Sequence, residues 1–202
     1  LRQYNRRKSE VLYPPLNDEA LFRPGEYGDY IFAGGRVAVG KRQRMLIEAM
    51  KHTKSGVRLV IAGPPESDNI VRDLTELVER ENLSDRVTLK LALLSREEIA
   101  GLVNNARAAA YLPFDEDSLG YVTMEAFASG KAVLTTTDSG GLLEIVKHQQ
   151  TGFVAEPTPE AVAAGLDALH DAATARSYGQ AAAALWQKKN LTWAKTVEKL
   201  LS

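Results

Sequence analysis

Apolar residues follow two alternating patterns along this chain from about residue 30. Six short apolar segments are typical of buried strands, and they lie at 29–35, 57–63, 86–94, 108–114, 131–137 and 151–156. Between these segments apolar residues recur at helical spacing, as in Met45, Leu46, Ala49 and Met50. This alternation predicts an α/β fold with a doubly wound, mostly parallel, Rossmann-like sheet in a three-layer α/β/α arrangement.

Capping sequences mark where two of the predicted helices begin. Ser95 and Glu98 have the spacing of a capping box, and Thr158 is followed by proline at the first helical position. Two more helices are predicted, over 119–129 and from Gly141. Ligands of such sheets bind beyond the carboxyl ends of the strands, so we expect functional residues directly after each strand.

The two ends of the chain differ from its centre. Residues 1–28 contain several prolines and are predicted to form a linker and a first strand, so that 29–202 make up the Rossmann-like domain. Residues 160–201 are Ala-rich and predicted to be entirely helical, with Trp186 and Trp193 packed against the domain. The chain begins without Met, which we interpret as a piece of a longer protein.

The composition narrows the classes of function. A hydrophobic fraction of 45% is typical of a globular protein with a core, and a net charge of -1 gives no overall basic field for nucleic acid. The absence of cysteine excludes disulfides and thiolate metal sites. The three histidines lack metal-ligand spacing, so no metal site is predicted.

The segment from Gly35 to Lys41 partly matches a phosphate-binding loop. It fits G-x-x-x-x-G-K, but Arg42 stands where Ser or Thr is needed to bind Mg²⁺. Residues 36–39 are also too large for a loop that wraps phosphates. We interpret the segment as an anion site in which Arg36 and Lys41 supply the charge, with a solvated basic helix start as the alternative.

A second candidate segment surrounds the predicted helix at 119–129. Asp115 and Glu116 are typical of a solvated acidic loop, and Asp117 or Ser118 is suited to cap the helix. Glu125 differs, because its neighbours on the helix are apolar nearly all round and a buried carboxylate needs hydrogen-bond donors. Sugar or ribose hydroxyls would supply those donors.

Five short motifs occur in a fixed order along the chain. They are Gly35-Arg36 with Lys41, Asp117 with Glu125, "AFASGKAV", "GGLLEIV" and "TGFVA". Together they resemble the carboxyl-terminal half of the group 1 (family 4) glycosyltransferases, and the resemblance covers roughly residues 10–200. It implies the GT-B fold, a retaining mechanism and a carboxyl-terminal donor-binding domain.

The resemblance also implies roles for individual residues. Arg36 and Lys41 would neutralise the diphosphate of a nucleotide-sugar donor, Asp117 would hold hydroxyls of the sugar, and Glu125 would accept from the ribose. The other donor contacts would be a glycine after the first strand, backbone near the base, and the start of a helix: Gly35, Leu93, Leu94, Ser118, Leu119, Gly120, Tyr121 and Val122.

The function implied is transfer of a sugar, of the hexosyl type, from a UDP-, GDP- or ADP-linked donor to an unknown glycan, lipid or small-molecule acceptor. No metal and no separate cofactor are expected. The expected partner is the amino-terminal GT-B domain of the same protein, without which this fragment is expected to be inactive. The expected location is the cytoplasm, or the inner face of the membrane if the acceptor is a lipid.

Two other functions stay open at the sequence level. The first is a non-catalytic module that binds a nucleotide. The second is a glycoside hydrolase with Asp117 and Glu125 as a carboxylate pair, which would have to face each other at about 5–9 Å across the bond.

Overall fold

The sheet has six parallel strands in the order β3-β2-β1-β4-β5-β6. The structure is a computed structural model that describes residues 11–201. The strands are β1 (Tyr30–Gly34), β2 (Arg58–Ala62), β3 (Val87–Lys90), β4 (Ala108–Ala110), β5 (Val133–Thr136) and β6 (Gly152–Ala155). The prediction of a doubly wound α/β fold is confirmed.

Seven α-helices connect and follow the strands within the described residues. They are α1 (Gln43–Met50), α2 (Asp68–Arg80), α3 (Arg96–Asn104), α4 (Tyr121–Ala128), α5 (Pro159–His170), α6 (Ala172–Lys189) and α7 (Trp193–Leu201). Three short 3₁₀ segments are Glu19–Leu21, Val39–Lys41 and Gly141–Glu144. Each of these seven helices is too short or too polar to span a bilayer.

The helices cover both faces of the sheet and make two apolar cores. Along β1 the side chains alternate, so that Ile31 and Ala33 join one core while Phe32 joins the other. Helices α1, α2 and α5 pack on the first face, and α3, α4 and α6 pack on the second. A strand buried on both faces has apolar residues at every position, which explains the continuous apolar runs of the sequence.

The amino-terminal part differs from its prediction. Residues 11–29 contain no strand, and the rest of the predicted first strand lies outside the described residues. Pro14, Pro15 and Pro24 cannot donate to a sheet, and the segment packs on the second core through Leu16 and Phe22 instead. We call residues 16–22 the strap.

The carboxyl-terminal part is helical but interrupted. Asp171 ends α5 and caps α6 by accepting a hydrogen bond from the Thr174 amide, and Asn190 ends α6 in the left-handed conformation. Trp186 is buried as predicted, whereas the prediction for Trp193 is wrong, because its side chain is 57% exposed. Asn190 separates α7 from α6, and none of the residues of α7 is buried.

Lys131 is a fully buried cation in the loop before β5. Its Nζ donates to the carbonyl of Glu26 at 2.9 Å and lies 4.0 Å from the centre of the Tyr27 ring. Burial, together with repulsion from Arg176, lowers the pKa of Lys131 to about 8. The folded protein therefore contains a buried amine that releases its proton at a pH where an unfolded lysine keeps it.

We expect the free energy of unfolding of the wild type to rise with pH relative to that of Lys131→Met. Between about pH 8 and pH 10 the unfolded chain binds a proton that the folded chain has released, so the wild-type free energy of unfolding rises relative to the variant. Urea unfolding at pH 7, 8.5 and 10 measures this difference, and Lys54→Met at an exposed site is the control. Parallel pH profiles for the wild type and Lys131→Met would contradict the prediction.

Candidate functional site

The loop after β1 presents Arg36 to solvent. Gly35 has a φ of +96°, which turns the chain at the end of the strand. The loop is held to the loop after β2, since the Val37 amide donates to the Pro64 carbonyl at 2.9 Å. Among residues 11–201 no side chain forms a hydrogen bond or ion pair with the Arg36 guanidinium. Arg36 is therefore available to an anion.

Lys41 is held by two polar groups of the loop after β4. Its Nζ donates to the Tyr111 hydroxyl at 2.9 Å and forms an ion pair with Glu116. Burial lowers the pKa of Lys41, but the bonds to Glu116 and Tyr111 outweigh it, so the pKa is raised. Lys41 is thus charged at neutral pH, and Glu116 is wrongly predicted as a purely solvated acid.

Arg42 connects three loops at the carboxyl edge of the sheet. Its guanidinium binds both carboxylate oxygens of Asp138 at 2.8 and 2.9 Å and donates to Thr136 Oγ1 at 2.7 Å. It also donates to the carbonyls of Leu112 and Pro113, both at 2.7 Å. The residue that breaks the phosphate-loop pattern therefore binds protein groups. Sequence reasoning did not find this role.

Helix α4 begins with unsatisfied amides. Gly120 precedes it with a φ of +70° and provides no side-chain cap. The amides of Tyr121 and Val122 find no acceptor among residues 11–201, as expected for the first turn of a helix. These N–H groups and the helix dipole favour a bound anion.

An open cavity of about 390 Å³ lies at this edge of the sheet. Six of the predicted site residues line it: Gly35, Arg36, Leu94, Tyr121, Val122 and Glu125. The other lining residues come from the strap, the loop after β2 and helix α3: Asn17, Asp18, Gly63, Pro64, Arg96 and Ile99. The cavity thus brings together a free cation, free amides and a carboxylate.

Glu125 lies at the inner wall of the cavity and is only 5% exposed. Its Oε1 accepts a hydrogen bond from Arg96 Nη1 at 2.6 Å. Burial raises the pKa of the Glu125 carboxyl, and Arg96 offsets part of that rise. Sequence reasoning assigned no role to Arg96, although its position directly after the β3 loop placed it at the functional edge.

The remaining predicted residues do not line the cavity, and they include Lys41 and Gly120. Asp117 is exposed on the loop after β4, and the side chain of Leu93 is 85% exposed. Leu119 is buried in the second core, which leaves only its backbone for a ligand. The Ser118 hydroxyl accepts from the Gly120 amide at 3.3 Å. The roles assigned to these residues stay predictions.

No group of three or more His, Asp or Glu side chains within residues 11–201 is arranged to hold a metal ion.

The sequence profile of the family "Glycosyl transferases group 1" matches residues 17–185, and the chain belongs to that family. It is 30% identical over 170 residues to the D-inositol 3-phosphate glycosyltransferase of Mycobacteroides abscessus, covering 83% of this chain and 37% of that protein. It is also 30% identical over 173 residues to the human alpha-1,3/1,6-mannosyltransferase ALG2, covering 74% of this chain and 41% of ALG2. The chain spans less than half the length of these relatives.

Solved structures share the fold. Anabaena HepE, in complex with UDP and glucose, superposes with a TM-score of 0.82 at 20% identity, covering 95% of this chain and 55% of HepE. The C-terminal domain of the group 1 protein LpcC from Francisella tularensis has a TM-score of 0.70 at 24% identity, covering 89% of this chain and 95% of that domain. The predicted resemblance to the carboxyl-terminal half of this family is confirmed.

We expect Arg42→Lys to destabilise the folded chain by about 2 kcal/mol, because an ammonium cannot replace the bidentate pair with Asp138 and the other guanidinium bonds. Arg58→Lys, at an exposed site on the opposite edge of the sheet, is the matched control and should change stability little. Urea unfolding at pH 7 measures both. Equal stabilities of the two variants would contradict a structural role for Arg42.

Proposed function

We propose that this chain is the donor-binding domain of a retaining glycosyltransferase that uses a nucleoside diphosphate sugar. The observation that carries the proposal is the shared cavity of Arg36, the α4 amides and Glu125. An anion group and a hydroxyl-binding group in one cavity match the two ends of a ribose diphosphate. Membership of the glycosyltransferase family supports the same conclusion.

The diphosphate would lie between Arg36 and the start of α4. Arg36 brings a charge that no protein group within residues 11–201 neutralises, and the amides of Tyr121 and Val122 are unsatisfied. Lys41 lies on the same loop as Arg36 and would add its charge to the phosphates if its bond to Glu116 is exchanged. Fixed donors of this kind stabilise a leaving diphosphate in the transition state.

The ribose would bind at Glu125, and the base would lie against the loop after β3. A buried carboxylate accepts strong hydrogen bonds from vicinal hydroxyls. Leu94 lines the same cavity and would offer an apolar surface to the base, with the backbone near Leu93 reading its edge. Asp117, on the loop after β4, would hold the sugar hydroxyls.

In the proposed reaction the bond between the sugar C1 and the diphosphate oxygen breaks, and a bond from C1 to the acceptor hydroxyl oxygen forms. The hydroxyl proton passes to an oxygen of the departing phosphate, so the retained configuration needs no carboxylate nucleophile. The residues named here bind and orient the donor and stabilise the leaving charge.

The rest of the proposed protein would supply what this chain lacks. An amino-terminal domain would bind the acceptor and close over the donor, and the isolated chain would turn over little or nothing. We propose a cytoplasmic location, at the inner face of the membrane if the acceptor is a lipid. A glycoside hydrolase is less well supported, because Glu125 faces Arg96 instead of a second carboxylate.

We expect the chain to bind UDP more tightly than uridine, because Arg36 and the α4 amides contact the phosphates. Arg36→Met should weaken UDP binding roughly tenfold, the effect of losing a charge-assisted hydrogen bond, and leave uridine binding unchanged. Calorimetric titration with UDP, GDP, ADP and uridine measures this, with Arg58→Met as the matched control. Absence of binding to all three diphosphates at millimolar concentration would contradict the proposed function.

We expect Glu125 to distinguish ribose from deoxyribose. In the wild type 2′-deoxy-UDP should bind several-fold more weakly than UDP, because one hydroxyl bond to the carboxylate is lost. Glu125→Gln should weaken UDP and reduce that difference, since an amide accepts through one oxygen only. The same titrations with both nucleotides provide the test. An unchanged preference for ribose in Glu125→Gln would show that the ribose does not bind at Glu125.

A non-catalytic nucleotide-binding module would give the same binding results. The two functions separate only in the full-length protein, assayed for transfer with donor and acceptor. Binding without transfer in that assay would favour the module.

A further inference from the structure

Arg96 joins the buried carboxylate of the cavity to the strap. It is the first residue of α3, directly after the capping residue Ser95. One end of its guanidinium donates to Glu125 Oε1 at 2.6 Å, and another N–H donates to the Asn17 carbonyl at 3.0 Å. Its Nε lies 3.5 Å from Asp18 Oδ2, and its Cζ lies 4.8 Å from the centre of the Phe22 ring.

We propose that Arg96 is a positioning residue that keeps the Glu125 carboxylate ionised and aimed at the ribose, and that the strap holds Arg96 in place. The proposal rests on the proposed function, because it takes the ribose as the ligand of Glu125. Arg96 itself is not required to touch the reacting atoms.

The hydrogen bonds of Glu125 leave room for a ligand. Arg96 occupies only Oε1, and Oε2 receives no hydrogen bond within residues 11–201 although the carboxyl lines the cavity. A carboxylate oxygen has two acceptor positions, so the carboxyl can bind Arg96 and vicinal hydroxyls together. Arg96 therefore fixes the orientation of the carboxylate without blocking it.

The charge of Glu125 depends on Arg96 more than on its other neighbours. The ionisable groups that line the cavity are Arg36, Asp18, Tyr121 and Arg96, and only Arg96 makes a hydrogen bond to Glu125. Burial raises the pKa of Glu125 and Arg96 opposes that rise. Loss of the guanidinium should therefore raise the pKa of Glu125 further, and a protonated carboxyl is a weaker acceptor.

The strap holds the Arg96 guanidinium in position. Phe22 is buried in the second core and Leu16 packs beside it, so the strap has a fixed position against α3. The Asn17 carbonyl and the face of Phe22 then limit the guanidinium to one orientation. A displacement of the strap would release Arg96 and with it the carboxylate.

The test compares Arg96→Met with Arg96→Lys over pH 5.5–8.5. At each pH the ratio of variant to wild-type affinity for UDP cancels the titration of the ligand phosphate, whose pKa is about 6. We expect Arg96→Met to bind UDP roughly tenfold more weakly than the wild type at the acid end of this range, with a smaller loss at the alkaline end because more of the Glu125 carboxyl is ionised there. Arg96→Lys, which keeps the charge, should restore a flat ratio, and thermal unfolding checks that each variant is folded.

A ligand-free measurement separates this inference from the proposed function. Carbon-13 NMR of the labelled glutamate carboxyls, assigned with Glu125→Gln, should show a higher pKa for Glu125 in Arg96→Met than in the wild type. If the wild type fails to bind UDP, the proposed function fails while this titration still tests the role of Arg96 as the group that keeps the carboxylate charged. An unchanged Glu125 titration, a loss of affinity equal at every pH, or tighter binding by Arg96→Met would overturn the inference.

Discussion

The parallel pairing of β1 with β4 is the constraint on which the candidate site depends. Strand order reverses there, so the chain leaving β1 crosses to one side of the sheet and the chain leaving β4 crosses to the other. The two loops separate above the strands and leave a crevice. Arg42 spans the base of that crevice, bonded to carbonyls after β4 and to Asp138 after β5. Arg36, from the same loop, lies in one cavity with Tyr121 and Val122 at the start of α4.

Most charges at this edge already have protein partners. Lys41 is paired with Glu116, and Glu125 is paired with Arg96, while Arg36 has no such partner within the described residues. Each pair keeps a partly desolvated charge satisfied, which costs less than leaving it alone in a site of low dielectric. The proposed donor would bind as a further partner of these charges. Arg36 could pair with the donor phosphates without first breaking a bond to a protein group.

The sequence predicted the layers and the strands because the central strands β1, β4 and β5 are buried on both faces. It placed Arg36 and Glu125 at one edge of the sheet because the motifs follow the strands. It could not predict the partners. Glu116 and Lys41 meet only through the adjacency of β1 and β4, and Arg96 reaches Glu125 from a different helix. The exposure of Trp193 was missed for a related reason, since helical spacing does not reveal the break at Asn190.

These internal pairs also affect how tightly this chain on its own would bind the proposed donor. A ligand that replaces Glu116 at Lys41 gains one ion pair and loses another, so the net gain is smaller than the new contact alone. Likewise, a ligand that displaced Arg96 from Glu125 would gain a hydrogen bond to the carboxylate at the cost of the one that Arg96 makes. If a second domain closed over the crevice, water would be excluded and each remaining bond would strengthen. Weak binding by the isolated chain is therefore what this arrangement of charges favours.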